Sequence, residues 1–218
     1  MRNFLLSLAL MLSIIFSTAG CEREDTPEAA LEDIKQAIEQ CNDEKFSERA
    51  DVRRLLDVAY DDASLELASR VREFGAAYPD DPFFKNTAED IILYNELNRD
   101  EHMKFINAVV DECFDRTLTP PANFNDDTIK GTAAELRHYF ATAQSTVKDV
   151  KINGLRAEIR IEATVESLYA GGSHVLPLVL EFEKAEERWR LKEIKNVGEI
   201  ITPLVDIAEI LWPDQFNS

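Results

Sequence analysis

The spacing of apolar residues changes once along the chain. Up to about Gln144 they recur every three or four positions, which is typical of helices that bury one face. Beyond Gln144 apolar and polar residues alternate, and residues 155–166 do so without a break, which predicts a half-buried β-strand. The pattern predicts a helical region at residues 26–117 and, at residues 118–218, one further helix, a sheet and a C-terminal helix. These are either two units or one integrated domain at residues 26–218.

Capping residues indicate where the predicted helices begin. Thr26-Pro27-Glu28 combines an N-cap hydroxyl, a proline in the first turn and an acid near the positive end of the helix dipole. Thr87 is the next such cap, and Thr132-Ala133-Ala134-Glu135 has the spacing of a capping box. Thr202-Pro203 predicts the start of the C-terminal helix.

The alternating region predicts a four-stranded antiparallel meander, so the expected fold class is α+β. The predicted strands are residues 147–152, 155–166, 175–183 and 188–195. Asn153-Gly154 has the composition of a two-residue hairpin turn between the first two strands. A four-residue loop at residues 184–187 would place Phe182 opposite Trp189 and would also pair glutamates with arginines on the other face.

The N-terminal 20 residues have the pattern of a secretory signal peptide. Arg2 is followed by an apolar run at residues 4–16, shorter than the roughly 20 residues of a membrane span, and then by small residues. The small residues Ser17-Thr18-Ala19-Gly20 directly precede Cys21 and resemble the lipobox of bacterial lipoproteins, although Thr18 stands where leucine is commonest. The alternative is ordinary cleavage near Ala19 or Gly20, which would give a soluble periplasmic protein.

The lipobox resemblance implies an address for the mature protein. Cys21 would become the acylated N-terminus and attach the protein to a membrane, and residues 21–25 would form a short acidic tether. Glu22 follows the cysteine, and lipoproteins without aspartate there are generally sorted to the outer membrane. The resemblance therefore implies an outer-membrane lipoprotein that faces the periplasm and has an envelope protein as its potential partner.

The charge balance excludes one class of partner. The chain has 24 Lys+Arg against 42 Asp+Glu, a formal net charge of −18. Nucleic-acid binders use Lys and Arg to displace counterions, so this balance argues against nucleic acid as a partner. Simple electrostatic attachment to an anionic lipid surface is disfavoured for the same reason.

Two cysteines remain once Cys21 is assigned to lipidation. Cys41 and Cys113 both fall on apolar helix faces. In an oxidising compartment such a pair predicts one disulfide that closes a long loop, and a pair of buried free thiols is the alternative.

The sequence has few residues arranged for chemistry. His102, His138 and His174 lie at no metal-ligand spacing, and the paired acids at residues 61–62, 80–81 and 126–127 are expected at helix caps and turns. Nucleophile-elbow, phosphate-loop and dinucleotide motifs are absent from the sequence. We therefore expect no metal, no cofactor and no catalytic residues.

Two segments resemble a known family. Residues 26–31 resemble the opening helix of small bacterial lipoproteins with a nuclear transport factor two-like domain, and residues 147–194 resemble that family's sheet. The resemblance covers about half of the mature chain and implies a bent sheet wrapped around helices as a cone, often with a pocket inside. Helical residues 52–98 are longer than the family pattern, which leaves open a separate helical-repeat-like domain.

Three functional hypotheses follow from this sequence. The first is a lipid-anchored envelope protein with a non-catalytic binding or envelope-maintenance role. The second is a binder of a small apolar ligand in a cone cavity with the following lining: Leu176, Leu178, Leu180, Phe182, Trp189 and Tyr139. The third is an enzyme of the same superfamily, whose nearest catalytic candidates are Tyr139, Tyr169 and His174.

Overall fold

The structure is a computed structural model that describes residues 24–211. The predicted signal peptide, Cys21 and residues 212–218 lie outside the described residues. Within the described range, no helix combines the length and the apolar composition needed to cross a membrane.

The architecture is α+β, as the change of period predicted. The helices are α1 (Pro27–Glu39), α2 (Asp43–Arg49), α3 (Val52–Ser69), α4 (Val71–Ala77), α5 (Ala88–Leu97), α6 (Arg99–Phe114), α7 (Thr128–Thr142) and α8 (Val197–Leu211). The strands are β1 (Gln144–Asn153), β2 (Arg156–Glu166), β3 (Ser173–Ala185) and β4 (Arg188–Ile194). They form one antiparallel sheet in the order β1-β2-β3-β4, which is the predicted meander.

Two predicted helix starts are confirmed and two are wrong. Thr26 and Thr87 cap α1 and α5 as expected. The capping box at Thr132 does not form, because Asp127 caps α7 five residues earlier and the Thr132 hydroxyl donates to a carbonyl inside the helix. The C-terminal helix starts at Val197 and contains Pro203, because its apolar face begins upstream of the predicted Thr202-Pro203 start.

Both hairpin turns differ from the sequence prediction. The β1–β2 turn consists of Gly154 and Leu155, so Leu155 lies in the turn and not in the strand. Between β3 and β4 only Glu186 and Glu187 form the turn, with φ of 50° and 68°, the left-handed conformation that suits a tight hairpin. The register therefore moves by two residues and places Phe182 opposite Leu191. Because the shift is even up to an irregularity between Glu181 and Phe182, the side chains of Phe182, Trp189 and Leu191 keep their predicted face.

The inner face of the sheet packs against helices from both halves of the chain. Helices α1 and α3 contact β4, α7 contacts β2, and α8 contacts β3. Buried residues of both the helical region and the sheet region belong to one hydrophobic cluster. Strand β1 lies at the edge of the sheet, and none of its residues is buried.

Candidate functional site

The chain enters the fold at one end of the sheet, which we call the anchor end. This end carries the β1–β2 turn and the β3–β4 turn, residues 154–155 and 186–187. The backbone N–H of Trp189, the second residue of β4, donates to the Asp25 carboxylate at 2.7 Å. Asp25 is the last residue of the predicted short acidic tether, and in the structure its carboxylate is bound to the folded body.

Arg49 holds Asp25 in place. Its guanidinium lies 2.5 Å from Asp25 and 2.6 Å from Asp33, and it also donates to the backbone carbonyl of Trp189. Burial lowers the pKa of Arg49, but the hydrogen bonds and charges of Asp25 and Asp33 outweigh burial and raise it. Arg49 of α2 thereby joins the segment before α1, helix α1 and strand β4.

A polar pocket of about 510 Å³ opens beside this ion-pair cluster. Its wall is formed by residues from α1, α2 and the β3–β4 turn: Asp25, Asp33, Gln36, Lys45, Glu48, Arg49, Glu186, Glu187 and Arg188. Several of these charges pair with one another, as Arg188 does with Glu48 at 2.9 Å. Such a wall suits water or a charged group better than an apolar ligand.

The six residues predicted to line a cone cavity are buried in the core. Their exposed fractions range from 0% at Tyr139, Leu176 and Phe182 to 5% at Trp189. All six belong to the hydrophobic cluster, and none lines a pocket described in this section. The cone cavity is therefore still a prediction.

A different, largely apolar groove lies between α1 and α7. One part has a volume of about 270 Å³ and is lined by Ile38, Glu39, Arg137, Phe140 and Ala141. An adjoining part of about 30 Å³ is apolar and is lined by Ile38, Phe46, Val52, Val110, Cys113, Phe114, Leu136 and Phe140. Sequence analysis missed this groove because its residues come from five helices, and each of them has the ordinary spacing of a core position.

Cys41 and Cys113 are buried, and the structure has both as free thiols. Burial is the main cause that raises the pKa of the Cys113 thiol to about 12. A thiol with such a pKa is a poor nucleophile at neutral pH. The predicted disulfide between them remains a prediction.

The end of the sheet opposite the anchor end, which we call the loop end, is organised by Glu135. This carboxylate is fully buried and accepts hydrogen bonds from the Ser167 hydroxyl at 2.5 Å and from the backbone N–H groups of Leu168 and Tyr169 at 2.9 and 3.2 Å. Burial and then the charge of Glu135 raise the pKa of Tyr139. Glu135 thus fastens the β2–β3 loop to α7.

Two of the three catalytic candidates from the sequence lie near this carboxylate. Tyr139 and Tyr169 both lie near Glu135, but Tyr139 is 0% exposed and the Tyr169 hydroxyl donates to the carbonyl of Pro121. His174 lies near the start of β3, opposite Val165 of β2. These contacts support packing and loop closure. Sequence analysis missed the role of Glu135 because the capping-box spacing assigned that residue to a helix start.

His102 belongs to a buried polar cluster among α3, α5 and α6. The Tyr60 hydroxyl donates to the backbone carbonyl of Asn95 at 2.9 Å and lies 2.7 Å from Nδ1 of His102. Since the hydroxyl proton is used by Asn95, Nδ1 of His102 is the donor in the second contact. Burial lowers the pKa of His102 to about 4, so the ring is neutral at pH 7.

The remaining metal and acid candidates have structural positions. Asp81 and Asp127 cap the helical turns that follow them, as predicted, whereas residues 61–62 lie inside α3, where Asp61 pairs with Arg99. Among residues 24–211, no group of three or more His, Cys, Asp or Glu side chains is placed to hold a metal ion.

Comparison with known proteins assigns no family to the chain. No protein-family model, no curated protein and no solved structure matches it. The features that bear on function are the apolar sequence before Cys21, the anchor end and the groove between α1 and α7.

Proposed function

We propose that this chain is a lipid-anchored protein of the bacterial cell envelope, acylated on Cys21, with a non-catalytic binding or envelope-maintenance role. The observation that carries the proposal is the position of Cys21. It directly follows an apolar leader and four small residues, and it stands only four residues before Asp25, which the fold already holds. Acyl chains on Cys21 would therefore keep the folded body close to a membrane.

The environment of the buried titratable groups supports a non-catalytic role. A catalytic acid or base must lie within hydrogen-bond reach of its substrate. Glu135 and His102 are 0% and 3% exposed, and each is engaged in hydrogen bonds that join secondary-structure elements. The raised pKa of Cys113 likewise argues against a nucleophilic thiol.

The proposed location is the periplasmic face of the outer membrane. Glu22 after the cysteine supports sorting to that membrane, and the acidic composition supports attachment through lipid and not through charge. Separation of inner and outer membranes on a density gradient tests the location, and recovery in the inner membrane or in the soluble periplasm contradicts it.

Labelling with a fatty acid that carries an alkyne group tests acylation. The unsubstituted chain and Cys41→Ser should both acquire the label, because Cys41 lies in the folded body. Cys21→Ser should acquire no label and should no longer be found as the mature, membrane-bound form. Equal labelling of the unsubstituted chain and Cys21→Ser, or no labelling of either, overturns the proposal.

An envelope location also supports oxidation of Cys41 and Cys113. The bond would close a loop of about 70 residues and stabilise the fold by roughly 4 kcal/mol in the chain-entropy model. Alkylation of the unfolded, unreduced protein followed by mass measurement should leave both cysteines unmodified. Two alkylated cysteines without prior reduction contradict the disulfide.

The groove between α1 and α7 supports a second candidate function, the binding of a small amphipathic ligand. Its 270 Å³ part has Arg137 at the wall, and its floor continues onto apolar side chains around Cys113. A fluorescent fatty acid should bind saturably, and Ala141→Trp should weaken binding at least tenfold because it fills the groove. Ala122→Trp, at an exposed position outside the groove, is the control. Equal binding by both variants rejects this candidate.

A further inference from the structure

The chain between Cys21 and the folded body is short. Cys21 stands four positions before Asp25, and an extended chain of four residues spans at most about 14 Å. A compact body of this size has a radius of gyration of about 16 Å. The body therefore cannot turn freely above an attached bilayer, and the surface around Asp25 must face it.

The β1–β2 turn lies on that surface. Asp25 binds Trp189 of β4, Trp189 pairs with Lys184 of β3, and the N–H of Lys184 donates to the carbonyl of Leu155 at 2.7 Å. These contacts cross two strand spacings, about 10 Å in total. Leu155 is therefore close to the point where the chain leaves for Cys21.

Two large apolar side chains are exposed at this turn. Leu155 is 64% exposed, and Ile152, at the end of β1, is 57% exposed. Single exposed apolar residues are common and need no explanation by themselves. The position of these two distinguishes them, because they lie at the end of the body that a lipid on Cys21 would hold at the bilayer.

The charges around the turn do not favour attachment by electrostatics. Lys151 and Arg156 flank the apolar pair, whereas Glu186 and Glu187 form the neighbouring turn. Lys151 also pairs with Asp149 at 3.2 Å, so the turn presents no excess of positive charge, and apolar contact with the lipid is the attractive interaction that remains.

We infer that the anchor end is a membrane-docking surface, on which Ile152 and Leu155 insert into the interfacial region of the bilayer. This inference rests on the proposed acylation of Cys21. The body then stands with its sheet strands pointing away from the membrane and its loop end farthest from it. The groove between α1 and α7 stays accessible to the periplasm.

Tryptophan reporters in the full-length acylated protein test this orientation. The protein is reconstituted in vesicles of phosphatidylethanolamine and phosphatidylglycerol with and without brominated acyl chains, which quench tryptophan on contact. Leu155→Trp and Ile152→Trp carry reporters at the docking surface. Val175→Trp, 55% exposed on β3, carries the control reporter, about 33 Å along the strand from the anchor end.

Leu155→Trp and Ile152→Trp should each be quenched at least twofold more than Val175→Trp, after subtraction of the unsubstituted protein's signal. The mass of the same samples reports whether acyl chains are present. If the protein is acylated but its three reporters are quenched equally, or not at all, the docking surface is overturned and the lipid anchor remains. A protein partner at this turn would give the same result. Protein without acyl chains overturns the proposed function, and the docking surface with it.

Discussion

At both ends of the sheet an acidic side chain holds a segment of chain in place, but one of these acids is partly exposed and the other is buried. The acid at the anchor end accepts one backbone N–H group and the acid at the loop end accepts two, and each fixes a segment of chain. Asp25 does so at the anchor end, where its side chain is 23% exposed and paired with Arg49. Glu135 does so at the loop end, where it is fully buried and accepts from neutral groups of residues 167–169.

The difference indicates where the fold is sensitive to change. A partly exposed ion pair is screened by water and contributes little. A buried carboxylate that loses its donors keeps the full cost of its burial. The loop end is therefore expected to be the rigid end, while the anchor end can meet water or a bilayer at small cost to stability.

Glu135→Gln should have the largest effect. Oε2 accepts both backbone N–H groups and Oε1 accepts the Ser167 hydroxyl, so the glutamine oxygen can replace Oε2 while its NH₂ group meets Ser167, whose oxygen already accepts from the N–H of Ala170. All three donors lose their charged acceptor, so we expect the free energy of unfolding to fall by about 2 kcal/mol. Urea denaturation measures it. Glu166→Gln, exposed at the end of β2, is the control and should change stability by less than about 0.5 kcal/mol. A loss below about 1 kcal/mol at Glu135 would remove the contrast between the ends.

His102 makes the stability of the protein depend on pH, and this contribution is tested separately from the two ends of the sheet. Its pKa is about 4 in the folded protein and about 6.5 unfolded, so the unfolded chain binds the proton more tightly. The contribution of His102 to the free energy of unfolding, up to about 3 kcal/mol, is fully present above pH 6.5 and is lost as the pH falls toward 4.

His102→Asn removes this titration while keeping a side-chain donor toward Tyr60. The difference in unfolding free energy between pH 7 and pH 4.5 should therefore be about 2 kcal/mol smaller in the variant than in the unsubstituted protein. Urea denaturation at a series of pH values measures the difference. Parallel pH profiles for the two proteins would show that His102 is not the sensor.

Asp25→Asn should have a smaller effect than the change at Glu135. The amide oxygen still accepts from Trp189, so only the partly exposed ion pair with Arg49 is lost, and we expect about 1 kcal/mol. Glu24→Gln, exposed one residue earlier, is the control and should leave stability unchanged. Equal losses at Asp25 and Glu135 in denaturant titrations would contradict the difference between the two ends.

Leu155→Ser should have the smallest effect on folding. Its side chain is exposed, so the unfolding free energy in solution should change by less than about 0.5 kcal/mol. Leu180→Ser makes the same chemical change at a position that is 1% exposed in the same sheet, and should cost several kcal/mol. A large loss at Leu155 would show that the turn is part of the core and not a free surface.

The sheet was predictable because alternation is a local signal. Strand β2, residues 156–166, buries every second side chain, and the order of the strands follows from short connections. The turn at residues 186–187 was not predictable in the same way. Two glutamates adopt positive φ there without the glycine or asparagine that usually marks such a turn.

The residues that organise the two ends were out of reach of local patterns. Glu135 matched a capping box within four residues, while its real partners lie 32 to 34 positions downstream. The partners of Asp25 are 24 and 164 positions away. Charge and spacing identify candidate acids, but only the tertiary fold selects the backbone group that each acid binds.

The contact between Asp25 and Trp189 has a consequence for the order of assembly during export. A chain exported from its N-terminus presents Asp25 first and Trp189 only after 164 further residues. The three hairpins of the meander join sequence neighbours and can close early, because their loop-closure entropy is small. The contact between Asp25 and Trp189 is thus expected to form after the hairpins, so Cys21 would already be free for acylation while the body that it carries is still folding.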